Sequence, residues 1–156
     1  MKEEHKPVNS IFIKFDPEKR EQITALLDQP VLARLATANP KTYQPHVVPL
    51  WYRWDGESVW ISGFSSTRKF RELIANPKCA ILIEPANPKE SKIQGILFEG
   101  AADIIREDRA LVIEKATQIY LRYLGEAGTQ ETEPQSWIHD PENLVAKLKP
   151  TKVFAW

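Results

Sequence analysis

Between Val31 and Ala38 the chain alternates loosely between apolar and polar or small positions (Val-Leu-Ala-Arg-Leu-Ala-Thr-Ala), a branched-residue pattern that predicts a strand. Upstream, Asp16-Pro17-Glu18 opens a segment with Ile23, Leu26 and Leu27 on one side. An Asp cap, a proline in the first turn and early acidic residues predict a helix over 16–28, stopped by Pro30. His46–Trp54 and Ser58–Gly63 flank Asp55-Gly56, a dipeptide that supplies positive φ to a tight turn, so the pair reads as a hairpin. Asn39–Pro45, with two prolines, reads as a loop. Pro49 cannot donate to a ladder and is therefore expected at a sheet edge, at a bulge or where a ligand takes the place of a strand.

Further along, Phe70, Leu73 and Ile74 at helical spacing predict a helix over Thr67–Ala75, with Asn76-Pro77 as its stop. Cys79–Ile83 and Ile93–Ile105 read as strands joined by a loop around Pro85 and Pro88. Leu111, Ile113, Ala116, Ile119, Tyr120 and Tyr123 give Glu107–Leu124 an apolar side, and Gly125 ends that helix. Gly125–Pro134 reads as a flexible connection and Pro141–Leu148 as a short helix, after which Pro150 releases Thr151–Trp156 into a last strand. The sum is six strands with helices inserted between them. That predicts a mainly β, antiparallel barrel and not a doubly wound sheet. At 156 residues the chain is expected to form a single domain over 1–156.

Composition narrows the function classes. With 42% hydrophobic and 27% charged residues the chain reads as a globular protein, without a segment apolar and long enough to cross a bilayer. The 21 basic and 21 acidic side chains cancel, which removes a global field for nucleic acid or anionic lipid and makes any anion site local. A single cysteine, Cys79, excludes an internal disulfide and reads as a small buried hydrophobe. Met1–Asn9 lacks the apolar core of a signal peptide, so a cytoplasmic location is expected. His5, His46 and His139 show no metal-ligand spacing, and His46 reads as a polar residue at a strand start.

Ser65-Ser66-Thr67-Arg68-Lys69 sets three hydroxyls and two cations at a strand-to-helix junction. Free amides, the helix dipole and the guanidinium fork favour a phosphate there, although a capped helix with solvated charges has the same pattern. Trp51, Tyr52 and Trp54 are either core residues or the apolar wall that a planar ring system requires. Dinucleotide, P-loop and nucleophile-elbow fingerprints are absent, and Glu84, Glu99 and Asp103 have no evident acid–base partner.

The succession LARLATA, PHVVPLWYRWDGESVWISG, SSTRKFRELIANPKCAILIE and GILFEGAADI resembles the pyridoxamine 5'-phosphate oxidase-like family of flavin-binding split barrels, from about Val31 to Ile105. The terminal LKPTKVFAW is similar to that family's closing strand. The resemblance implies a six-stranded antiparallel split barrel of the FMN-binding type, assembled as a homodimer with two cofactor sites, each built from both subunits. It implies that Val47, Val48, Pro49, Leu50, Trp51 and Tyr52 run along the flavin ring and offer it backbone groups, with Ser62 and Gly63 beside the ring and ribityl chain. Arg68 and Lys69 match the phosphate-binding pair, Ser65 and Thr67 are its hydroxyl partners, and Gln94 is similar in position to a residue that reaches the ring from the other subunit.

The implied activity is FMN-dependent hydride transfer to or from a small organic substrate, with no side chain needed as acid or base. Val47 and Tyr52 replace the family's basic residues at the ends of the flavin-lining strand, and no Arg/His cluster marks the C-terminus, so oxidation of pyridoxamine phosphate itself is not expected. Two alternatives stay open: a deazaflavin coenzyme, whose longer anionic tail would run past Lys69 along a basic groove, and a non-catalytic flavin- or haem-binding protein.

Overall fold

A computed structural model describes residues 10–156; Met1–Asn9, with His5 and the stretch read as lacking a signal peptide, lie outside the described residues. After a 3-10 turn at Ser10–Phe12, the Asp16 carboxylate accepts the Lys19 amide at 2.8 Å and starts α1 (Pro17–Leu27), which buries Ile23, Leu26 and Leu27. The remaining elements are β1 (Ala33–Ala38), β2 (Pro45–Leu50), β3 (Arg53–Trp54), β4 (Val59–Phe64), α2 (Arg68–Ala75), β5 (Lys78–Ile83), β6 (Ile96–Ile105), α3 (Arg109–Thr129), α4 (Thr132–Ile138) and β7 (Asn143–Ala155). Among the described residues no helix is long and apolar enough to cross a membrane.

The strands form one antiparallel sheet in the order β2-β1-β5-β6-β7-β4-β3. It has seven strands and not the expected six because the segment His46–Trp54 breaks at Trp51-Tyr52 into β2 and β3. Those two strands are consecutive in the chain yet occupy opposite edges of the sheet. The sheet must therefore curl until its edges meet at the Trp51-Tyr52 bend, which makes it a split barrel.

Register builds the core. Val48, Leu35, Ile81, Phe98 and Val153 are direct neighbours across five strands and point inward. Phe98 stacks on Trp54 with ring centroids 5.1 Å apart, and Phe12 closes over both. The next residues along the same strands, Pro49, Arg34, Leu82, Leu97 and Phe154, form the matching outward row. On the other flank α3 covers the outside of β4 and β7, packing Val112 and Ile119 against Trp60 and Val145.

Two expectations about the C-terminal third are corrected. Gly125 does break the helical geometry, at φ 69°, but the chain resumes the helix to Thr129 and continues into α4, so the segment expected to be flexible is helical. It is held by Thr129, fully buried, whose hydroxyl donates to the Gly125 carbonyl at 2.7 Å, and by Gln135, whose amide donates to the Thr129 carbonyl at 2.7 Å.

The segment Pro141–Leu148, expected to be a helix, instead enters β7, and the last strand starts at Asn143 and not at Thr151. Leu144, Ala146 and Leu148 face the barrel interior while Val145 faces α3. A strand covered on both sides shows no alternation, so its pattern cannot be told from a buried helix. Pro150 sits inside β7 beside Gly100, where the ladder shifts register between Glu99 and Gly100, and such an irregularity accommodates a residue without an N–H.

The hairpin forms where expected. Gly56 has φ 100°, and the Asp55 carboxylate accepts the Glu57 amide (2.9 Å), the Ser58 amide (2.7 Å) and the Trp60 indole N–H (2.7 Å). Burial alone would raise this carboxyl, but those three donors outweigh it and hold it below the ordinary carboxylate range.

Candidate functional site

From the Trp51-Tyr52 bend the two sheet edges run apart. One is β2, paired only to β1; the other is Ile61–Phe64 of β4, which pairs with β7 and has no ladder partner on its other side. Pro49 lies on the edge strand, one of the places expected for it. Pro45, Val47 and Pro49 point outward, with Val47 60% exposed, while Val48 and Leu50 pack on the core.

The three aromatic rings are taken up by packing within the chain, Tyr52 and Trp54 in the core and Trp51 against α3. Trp51 stacks on Tyr123 of α3 at 5.0 Å and meets Tyr120 edge-on at 5.5 Å. Tyr52 is fully buried: its hydroxyl donates to the Leu27 carbonyl (3.1 Å) and its amide to the Tyr123 hydroxyl (3.3 Å), which itself donates to the Val31 carbonyl (2.7 Å). Burial pushes the Tyr52 hydroxyl far above its ordinary pKa. These rings fix the bend against α1 and α3, and Trp54 joins the core. The open surface of β2 is thus its free backbone edge with Val47 and Pro49.

The structure brings Ser62, Gly63, Ser65, Thr67, Arg68 and Lys69 together where β4 runs into α2. Gly63 is required there, since a Cβ would lie 2.8 Å from the Phe70 ring and push α2 away. The Ser65 amide donates to the Glu142 carbonyl (3.0 Å), and the Thr67 hydroxyl turns back to the Phe64 carbonyl (2.8 Å), so Thr67 does not cap α2 with its side chain. The first-turn amides of α2 are left for another acceptor.

Lys69 is half-buried and has no ion-pair partner among the described residues. Burial pulls its ammonium below the ordinary lysine value. Arg68 is half exposed, with Nε 3.3 Å from Glu72 Oε1, and the Glu72 side chain is only 7% exposed. The sequence reading missed Glu72, although its position four residues after Arg68 is the spacing of a helical ion pair. It also missed Lys41 and Arg71. Together with Arg68 and Glu72 they line a cavity of about 420 Å³ between the loop after β1 and α2, brought together only by the β1–α2 packing.

Gln94 is not in this group. It lies just before β6 at the end of the barrel where β7 finishes, and its amide hydrogens donate to the carbonyls of Pro88 (2.9 Å) and Ser91 (2.8 Å). The phosphate-type cluster lies near the start of β7, where Phe64 pairs with Asn143. Within the chain Gln94 and Lys69 therefore occupy opposite ends of the barrel.

A curled antiparallel sheet that is open between two diverging edges, with the cationic start of α2 beside the opening, is a split barrel. The pyridoxamine 5'-phosphate oxidase family pattern matches residues 20–156. The chain belongs to that family. No curated protein matches the sequence. Among solved structures the fold is similar to an F420 reductase (24% identity over 83% of this chain and 94% of that one, TM-score 0.65). It is also similar to the conserved hypothetical protein Rv2991 from Mycobacterium tuberculosis (22% identity, 95% and 88% covered, TM-score 0.69). The haem storage protein HutZ from Vibrio cholerae shares the fold as well (19% identity, 86% and 92% covered, TM-score 0.64).

Proposed function

We propose that the chain is a flavin mononucleotide-dependent oxidoreductase acting on a small organic molecule in the cytoplasm. The observation that carries this reading is Lys69: a half-buried ammonium without a carboxylate partner among the described residues, one position into a helix whose Thr67 side chain does not cap it. A desolvated cation beside unfilled amides fits a phosphate. Lys69 and Arg68 would hold that phosphate, with the Ser65 and Thr67 hydroxyls turning to it. Ser62 and Gly63 would flank the ribityl chain, and the backbone of Val47–Tyr52 would orient the ring. When bound, the flavin supplies the hydride transfer, and the protein's part is orientation and exclusion of water, with no side chain serving as acid or base.

A homodimer accompanies this proposal. The outward row Pro49, Arg34, Leu82, Leu97 and Phe154, with Val47, Ala36 and Ala80 beside it, is a mostly apolar sheet face in which Arg34 is paired with Glu84, and Phe154 is 45% exposed. A second copy covering it would also bring Gln94 to the other protomer's ring. Leu82→Arg places an unpaired charge at the centre of that face and is expected to convert the dimer to a monomer in light scattering. A variant that stays dimeric removes this face as the interface.

The cavity lined by Lys41, Arg68 and Arg71 favours one second reading, in which a deazaflavin coenzyme lays its anionic tail along those cations. Titration of the purified protein separates the two. FMN is expected to bind with a Kd of about 10 µM or tighter, on the scale where 1 µM is about 8 kcal/mol, and to leave the protein yellow. Binding of the deazaflavin coenzyme alone would establish the second reading, and binding of neither would overturn both.

A further inference from the structure

Helix α2 carries cations on two sides. The Lys69 stem lies against β4, where a Cβ on Gly63 would stand 3.5 Å from its Cε, whereas Arg71 lines the cavity of about 420 Å³ between α2 and the loop after β1. Arg68 comes before both in the chain and lines that cavity too. A phosphoryl group held by Lys69 and Arg68 therefore has the cavity beside it.

The polar groups of the cavity are donors without acceptors. Lys41 and Arg71 have no carboxylate partner among the described residues. Arg68 meets Glu72 through Nε, which leaves its Nη groups to donate elsewhere. The Asn39 Oδ1 accepts the amides of Lys41 (2.9 Å) and Thr42 (3.1 Å), so the Nδ2 hydrogens of that side chain have no acceptor among the described residues. Three cations facing one carboxylate leave a positive surplus, which a further phosphoryl group neutralises. The loop that supplies Lys41 is fixed: the Asn39 amide donates to the Gln44 carbonyl at 3.2 Å and the Tyr43 amide to the Asn39 carbonyl at 2.9 Å. Two residues beyond Lys41, Tyr43 has φ 59° and a ring that is 79% exposed. An ordered loop that displays an uncovered ring next to a cationic cavity suits a base joined to a phosphate.

We infer that this cavity holds the second phosphoryl group of a dinucleotide whose base stacks on Tyr43, so that the chain takes flavin adenine dinucleotide across the head of α2. The inference rests on the reading that sets the flavin phosphate at Arg68 and Lys69. It leaves the flavin mononucleotide half where that reading puts it and assigns what is joined to it.

Titration with flavin adenine dinucleotide and with FMN is expected to show the dinucleotide binding about tenfold more tightly, the scale of charge-assisted contacts made by exposed groups. Lys41 and Arg71 are both exposed, so replacing them leaves the packing of the fold intact. The double variant K41A/R71A should bring the two affinities to within about twofold, and Tyr43→Ala should cut the preference about threefold through lost stacking. A dinucleotide that binds no tighter than FMN, or a preference that survives in K41A/R71A, overturns the inference. An unchanged preference in Tyr43→Ala overturns the placement of the base. If neither flavin binds, the flavin reading itself fails, and inorganic pyrophosphate titrated against inorganic phosphate decides for the cavity. A pyrophosphate preference of about tenfold that K41A/R71A abolishes keeps it as a diphosphate site, and equal binding overturns it.

Discussion

Replacing Arg68 and Lys69 together by alanine is expected to weaken FMN binding by roughly a hundredfold or more. A charge-assisted contact to phosphate is worth about 1.5 to 3 kcal/mol, and about 1.4 kcal/mol corresponds to tenfold. The two residues are not equivalent. Arg68 is half exposed and already engaged by Glu72, so Arg68→Ala alone should weaken binding less than Lys69→Ala alone. The unliganded variants should also part company in stability. Removing Arg68 leaves the Glu72 carboxylate buried without its partner, which should lower the melting temperature. Removing Lys69 takes away a cation that burial already disfavours, which should leave the melting temperature unchanged or raise it. A loss of less than about tenfold in the double variant would place the phosphate elsewhere.

Phe98→Ala is expected to be the most damaging single change in the barrel, at about 3 to 5 kcal/mol of folding stability. Phe98 is fully buried in the inward row, between Ile81 and Val153, and its ring is stacked on Trp54 with Phe12 at 6.2 Å. Truncation opens a cavity bounded by three strands that cannot close without breaking register. Its neighbour Leu97, on the outward row and only partly buried, should lose less, about 1.5 kcal/mol in the monomer. Urea unfolding reads both as a shift of midpoint at constant slope. A Phe98→Ala loss below about 1.5 kcal/mol would show that the row is not the centre of the core.

Much of this architecture was legible because local chemistry and global fold agree. The Asp16 cap, the Asp55-Gly56 turn and the Pro49 edge each name their own location. The bend at Trp51-Tyr52 was not legible, because a run of aromatic and branched residues reads as one strand. Only the partners of those rings, Tyr123 on α3 and the Leu27 carbonyl at the end of α1, explain the break. β7 was hidden for the opposite reason: it is apolar on both sides over Leu144–Ala146. At the candidate site, the helix start at Thr67–Lys69 was visible from residue types in sequence. The cations that join it through space, Lys41 and Arg71, belong to a loop and a helix face whose meeting only the tertiary packing decides.

The position of β7 in the sheet sets the order in which the molecule can be assembled. β7 pairs with β6 on one side and β4 on the other, and among the described residues no other ladder joins the β2-β1-β5-β6 half to the β4-β3 half. It also follows every other strand in the chain. During synthesis the two halves can therefore form as separate hairpin sheets tied by the Trp51-Tyr52 bend, each with an unpaired edge awaiting β7. Joining them requires contacts of high sequence separation, such as Val59 with Leu148, which are slow to form. Until Asn143–Ala155 docks there is no opening for a ligand to enter. A chain lacking that segment would expose two unpaired β-edges, the kind of surface through which partly folded chains aggregate.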